Sequence, residues 1–354
     1  MFTKHLSSAA ASSAYPKAKL ALLTLMVSGA LFGCSPKQTD TQTDSAAETQ
    51  SETGSEAATT ESSATDNQAQ VSIDTTRGEV TLPTNPEPLA VYDMTLMQDL
   101  AALEVPVAGL PDNLHLDNLK AAGAPESQNI GTLFEPDMEA LNQMQPKAIL
   151  IGSRMAEKYD ALSKMAPTLD LTLDTENIYE SSKQRLADLG KLFNKADKAA
   201  QLQQDIDQAI EQAKAASAGK GNGLVVLVNG NKISAYGEKS RFGFLHTVFG
   251  IPAADTQIED GRHGQPVSFE YLQKIDPDWL FVLDRSSAIG EEGVGADAVL
   301  DNPLMHQTKA WKNKHIVYLS PDSYLAFGGY YQWLKDTKIV TDALSKAETV
   351  ESAQ

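Results

Sequence analysis

The chain has 354 residues and a formal net charge of −18, divided as +3 over residues 1–33, −6 over 34–70 and −15 over the remainder. An acidic folded part argues against nucleic acid as a partner and against adsorption to anionic lipid, yet it permits a small anionic ligand in a cleft whose local charge opposes the net charge. The single cysteine, Cys34, excludes an internal disulfide.

Residues 1–33 read as an export signal. Lys4, Lys17 and Lys19 form a basic start, and Leu20 to Phe32 is an apolar stretch too short to span a bilayer. It ends in Leu31-Phe32-Gly33-Cys34, which resembles a bacterial lipoprotein cleavage box. Cys34 is therefore expected to be lipidated and not to serve as a small buried hydrophobe. The expected location is outside the cytoplasm, on a membrane facing the periplasm or the cell exterior. Residues 34–70 are almost wholly Ser, Thr, Ala, Gln, Glu and Asp, a composition that buries no core. As a tether they give a reach of about 30–36 Å.

The remaining chain divides into an α/β lobe over 71–172, linking helices over 173–222, a second α/β lobe over 223–345 and a tail over 346–354. The fold class is α/β, with two Rossmann-like lobes whose central sheets are mainly parallel, joined by one long helix. Val71 to Leu82 predicts a strand pair turning at Thr75-Thr76-Arg77-Gly78. Leu89 to Tyr92 is the first apolar strand, followed by a helix carrying Leu96, Leu100 and Leu103. Glu176 to Ser217 is helical in composition, with Gly190 as the expected break and Ala199, Leu202, Ile206, Ala209 and Ala213 as one apolar stripe. Leu224–Val228 and Lys232–Tyr236 read as strands around a tight turn, and a helix with Phe244, Leu245 and Val248 follows. Tyr236 stands 144 residues after Tyr92, which pairs these two strands as counterparts.

A sharper repeat lies 131 residues apart. Glu139 to Arg154 aligns without a gap on Glu270 to Arg285, each copy a short helix, a proline, an apolar run and a terminal arginine. Arginines at the same place in two related units point into a shared crevice and toward an anionic ligand. Arg241 joins them at the entrance to a helix, where backbone amides already favour an anion, whereas Lys239 beside it reads as a solvated loop residue. Gly261-Arg262-His263-Gly264 presents an imidazole on a loop, and Tyr324 precedes the pair Gly328-Gly329 that opens the last helix. Imidazole and phenolate are both good ligands for ferric iron. Gly290-Glu-Glu-Gly293 fails as a phosphate loop, because its glycine spacing is wrong and its acids repel phosphate; it reads as a rim loop. The sequence offers neither the histidine spacing of a preformed zinc site nor a serine-nucleophile elbow.

The order and spacing of these segments resemble the iron-siderophore solute-binding proteins of bacterial ABC transporters, in particular the ferric-catecholate branch. The resemblance rests on the cleavage box and tether, Asn85-Pro-Glu-Pro-Leu-Ala-Val, Gly131 to Arg154, Asp188 to Ala199, Gly261 to Arg285 and Tyr318 to Gly329. It implies a monomer that binds a ferric siderophore between its lobes and delivers it to an ABC permease without catalysis. No cofactor is bound permanently; ferric iron arrives as its siderophore complex. It also implies a cationic floor of Arg154, Arg241 and Arg285, with His263 and Tyr324 ligating iron that a siderophore leaves open. Phe327 and Ser323 depart from the branch and are expected to alter the rim against which a catechol packs. Ferric citrate or haem is the alternative ligand, and a tethered α/β metalloenzyme is the alternative class.

Overall fold

In a computed structural model, residues 69–347 are described except 113, 117, 118, 120–126, 260 and 262, all within the compact unit Thr65–Gln354. The signal segment, Cys34 and all but the end of the tether lie outside the described residues, as do residues 348–354. The chain opens with an antiparallel hairpin, β1 (Gln70–Thr75) and β2 (Gly78–Pro83). The first sheet is wholly parallel and comprises β3 (Leu89–Val91), β4 (Gly109–Leu110), β5 (Gln128–Asn129), β6 (Ala148–Ile151) and β7 (Thr168–Asp170), in the order β5-β4-β3-β6-β7.

The second sheet comprises β8 (Gly223–Asn229), β9 (Lys232–Tyr236), β10 (Gln265–Val267), β11 (Trp279–Asp284) and β12 (Ile316–Tyr318), in the order β10-β9-β8-β11-β12. Only β9 runs against its neighbours, because the tight turn after Asn229 can return the chain only antiparallel. This corrects the 144-residue pairing of strands. β3 lies beside β6, but β9 is one strand removed from β11, so β8 is the positional counterpart of β3.

The central strands of both sheets are buried on both faces, which explains their unbroken apolar runs. Alternate residues point to opposite sides. Leu89, Val91 and Leu150 enter one core while Ala90, Ile149 and Ile151 enter another. In the second sheet Val225, Phe281 and Leu283 share the first core, and Leu224, Leu280 and Val282 form a separate one. The shared core thus runs from one sheet to the other through the linking helices.

The 131-residue repeat holds in the backbone from the helix cap to the start of the strand. Helix Met138–Met144 is capped by Asp137 and ends at Gln145 with φ 51°, while Phe269–Ile275 is capped by Ser268 and ends at Asp276 with φ 47°. Each left-handed residue turns the chain into the proline and then the strand, β6 or β11.

Two helices, Ile178–Leu192 and Ala196–Ser217, join the sheets. The break falls at Phe193–Lys195, with Asn194 at φ 53°, and not at Gly190. Gly190 serves close packing, since a Cβ there would meet the Ala199 Cβ at 2.6 Å. The longer helix has 22 residues, about 33 Å at 1.5 Å per residue. Its buried stripe is Ala199, Leu202, Ile206, Ile210 and Ala213, with Ile210 taking the place expected of Ala209. Each such Leu or Ile contributes about 1.5–3 kcal/mol by burial.

The last helix, Tyr330–Lys346, packs along this strut and meets the first helix, Met94–Ala102, in a buried polar seam. Asp99 accepts from Arg185 Nη2 and from the Tyr330 amide, both at 2.9 Å. Arg185 also donates to the Gly328 carbonyl at 3.2 Å, and Gln98 Oε1 accepts from the Gln332 amide at 3.1 Å. Burial pushes the Asp99 carboxyl up to about 6, although the Arg185 guanidinium opposes the shift. Directional bonds in a dry seam hold the lobes in one relation.

Candidate functional site

Three arginines from two lobes meet around one tyrosine. Arg154 stands three residues beyond β6, and its lobe positions it through Asp93. The Asp93 Oδ1 accepts from the amides of Thr95 and Leu96 and so caps the first helix, while Oδ2 lies 4.0 Å from Arg154 Nη1. Gly152 makes this approach possible, because a Cβ there would fall 2.3 Å from Asp93 Oδ2. Across the cleft, Arg154 Nη2 donates to the carbonyl of Tyr324 at 3.4 Å.

Arg285 follows β11 directly and begins a helical turn capped by Asp284. Its Nε donates to the Tyr324 hydroxyl at 3.1 Å, and its Nη1 reaches Asn229 Oδ1 and Glu291 Oε2, both at 3.3 Å. The rim loop after β11 therefore supplies a counter-charge to a site arginine, a role its sequence did not disclose.

Arg241 lies over the ring of Tyr324 at 4.9 Å and that of Phe242 at 4.6 Å. Its Nε is buried without an acceptor, and among the described residues no carboxylate pairs with it. Its polar neighbour is Tyr236, whose phenol is pushed up by burial while Arg241 opposes the shift. That phenol stays neutral at physiological pH and leaves the charge of Arg241 uncompensated.

A cavity of about 520 Å³ opens between the lobes, lined by Ser153, Arg154, Thr172 and Glu176 from one side and Lys239, Ser240, Arg241, Gly261 and Phe327 from the other. A second, of about 360 Å³, adjoins it and shares Arg154; Arg285 and Tyr324 line it as well. Both fall in the range of roughly 300–1,000 Å³ usual for small-molecule sites. The net charge of the chain is acidic, but the two cavities together carry three guanidiniums and an ammonium against the carboxylates of Glu176 and Asp112.

Arg154, Arg241, Arg285 and Tyr324 thus converge. His263 does not join them in this conformation: it is exposed on the loop before β10, two residues after the cavity residue Gly261, and it is absent from both linings. Lys239 is exposed on its loop, as expected, and also lines the cavity. Phe327 does reach the rim, 5.8 Å from Arg241. Ser323 does not, because it is fully buried and its hydroxyl donates to Asp336.

Residues 89–323 match the family described as periplasmic binding protein. The petrobactin-binding protein YclQ of Bacillus subtilis strain 168 is 39% identical over 269 residues, 75% of this chain and 84% of that one. The ferric-anguibactin-binding protein FatB of Vibrio anguillarum is 31% identical over 285 residues, 79% of this chain and 88% of that one. The crystal structure of YclQ superposes with a TM-score of 0.76 at 36% identity, covering 79% of this chain and all of that one. The siderophore-binding protein BauB, bound to two acinetobactin molecules and ferric iron, superposes with a TM-score of 0.72 at 30% identity, again over 79% and 100%. The chain belongs to the periplasmic binding protein family.

Proposed function

We propose that this protein captures a ferric siderophore of catecholate type between its lobes and hands it to an ABC permease for iron uptake. The observation that carries this reading is the wall of Arg154, Arg241 and Arg285, with Arg241 lacking any paired carboxylate among the described residues. A ferric tris-catecholate carries three negative charges, and guanidiniums both offset charge and donate planar hydrogen bonds to phenolate oxygens. The relatives point the same way, since YclQ is petrobactin-binding, FatB ferric-anguibactin-binding and BauB holds a ferric acinetobactin complex.

In this reading Tyr324 and His263 complete the iron coordination of chelates that leave two positions open. Tyr324 already stands among the arginines, and His263 lies two residues after the cavity residue Gly261. The protein acts as a monomer without turnover or resident cofactor. No helix among the described residues is long and apolar enough to cross a membrane, and attachment is through lipid on Cys34. Calorimetric titration with a ferric bis-catecholate, ferric citrate and the ferric complex of a neutral trihydroxamate tests the ligand class. The catecholate should bind at least a hundredfold more tightly than the hydroxamate. Equal affinities, or preference for the uncharged ligand, would contradict the cationic-wall account.

A further inference from the structure

The cleft has two adjoining compartments that meet at Arg154, and the iron centre of the proposed ligand stands at their junction, among Arg154, Arg241, Arg285 and Tyr324. The cavity between Arg154 and Arg241 is cationic. Its neighbour, beyond Arg154 and Tyr324, has an apolar floor of Met94, Leu133, Phe134, Ile289 and Leu325. Arg154, Arg285 and Tyr324 form the wall that turns toward the iron centre, Asp112, His115 and Thr132 are its other polar residues, and the apolar floor is the surface that the iron centre leaves unused.

Phe134 is the informative residue. It is 64% exposed, unusual for an aromatic side chain of its size. Its backbone is held at the tip of a tight turn. The Thr132 amide donates to the Glu135 carbonyl at 2.8 Å, and Thr132 Oγ1 accepts from the amides of Phe134 and Glu135 at 3.2 and 3.0 Å. Glu135 also pairs with Lys158. An exposed ring at the mouth of a cavity with an apolar floor, on a backbone held by a turn that does not need that side chain, is placed to meet a partner ring.

We infer that this compartment is a second subsite that takes an uncharged aromatic arm of the ferric chelate, lying outside the coordination sphere, and that Phe134 is its specificity-determining residue. Arg154 lines both compartments, so one ligand spans them, with the anionic iron centre on the guanidinium side and the arm against Phe134, Leu133 and Ile289. This inference rests on the ferric-chelate reading above but makes a separate claim. It explains how a site whose charges accept many ferric anions distinguishes among them: charge retains the metal centre, and the annexe selects by what the centre carries.

The test uses two synthetic ligands, a linear ferric bis-catecholate and the same chelate bearing one benzyl amide arm, titrated calorimetrically into the wild type, Phe134→Ala and Phe134→Tyr. The wild type should prefer the arm-bearing chelate by about five- to tenfold, from aromatic contact and buried area. Phe134→Ala should abolish the preference while leaving the plain chelate within twofold, and Phe134→Tyr should retain it. Loss of affinity for both chelates alike in Phe134→Ala, or an unchanged preference, would overturn the subsite and leave the ferric-chelate reading standing. Failure of the wild type to bind either chelate would overturn both.

Discussion

The unit from Asp137 to Arg154 and the unit from Ser268 to Arg285 share cap, helix length, left-handed exit and strand, but they deliver their arginines differently. β6 stops at Ile151, and Arg154 is reached through a turn in which Gly152 admits the helix-capping Asp93. β11 continues to Asp284, so Arg285 begins a helical turn and faces the exposed Glu291. The repeated backbone sets where a cation stands. The residues flanking it decide what neutralises it, a structural cap in one lobe and a dispensable rim acid in the other.

Both units depend on the seam that fixes the lobes, and the largest expected effect is there. Asp99→Ala leaves Arg185 buried without its carboxylate and should cost about 3–5 kcal/mol of stability, measurable by chemical denaturation at pH 7. The pH dependence has a definite sign. Asp99 titrates in the folded state at about 6 against an ordinary 3.8, so the native protein holds this proton more tightly than the unfolded chain. Its contribution is complete below about pH 4 and is lost as the pH rises through 6. Wild-type stability should therefore fall relative to Asp99→Asn across that window, and parallel curves for the two proteins would remove Asp99 as the source.

The arginines come next. Replacing both Arg154 and Arg285 by alanine should weaken binding of a ferric bis-catecholate by more than about a hundredfold, and Arg154→Ala, Arg241→Ala or Arg285→Ala alone by more than about tenfold, as expected for charge-assisted bonds in a desolvated site. Unchanged affinity in all three single variants would dissolve the comparison. His263→Ala and Tyr324→Phe should impair tetradentate chelates several-fold more than hexadentate ones, and equal losses would argue against direct ligation. The smallest effect distinguishes the two lobes most cleanly. Glu291→Gln removes only an exposed competitor and should tighten anion binding by up to about fivefold, the scale of a surface ion pair.

Much of this architecture was legible in the sequence because it rests on local rules. The gapless 131-residue repeat carried its caps and left-handed turns with it, and continuous apolar runs marked strands buried on both faces. Arg154, Arg241, Arg285 and Tyr324 were picked out by their positions near strand or helix ends, and the fold brings the four together. The misreadings share a cause, which is that one residue type serves several ends. Gly190 looked like a helix break, but its missing side chain admits Ala199, and Asn194 makes the turn. Ser323 looked like a rim residue, yet its hydroxyl serves the buried Asp336. The strand ending in Tyr236 resembled the one ending in Tyr92, although a hairpin displaces it by one place in the sheet. Lys239 and Glu291 gave no local signal, because their roles depend on which element lies across the cleft.

The central claim is that the two lobes build one cationic site for an anionic ferric complex. Anomalous diffraction at the iron edge from crystals grown with a ferric bis-catecholate tests it most directly. The account predicts a single iron peak in the cavity between Arg154 and Arg241, with guanidinium nitrogens of Arg154, Arg241 and Arg285 within hydrogen-bond distance of catecholate oxygens. An iron peak elsewhere, such as the acidic groove formed by Asp74, Asp170 and Asp174, with the arginine cavity empty, would contradict it.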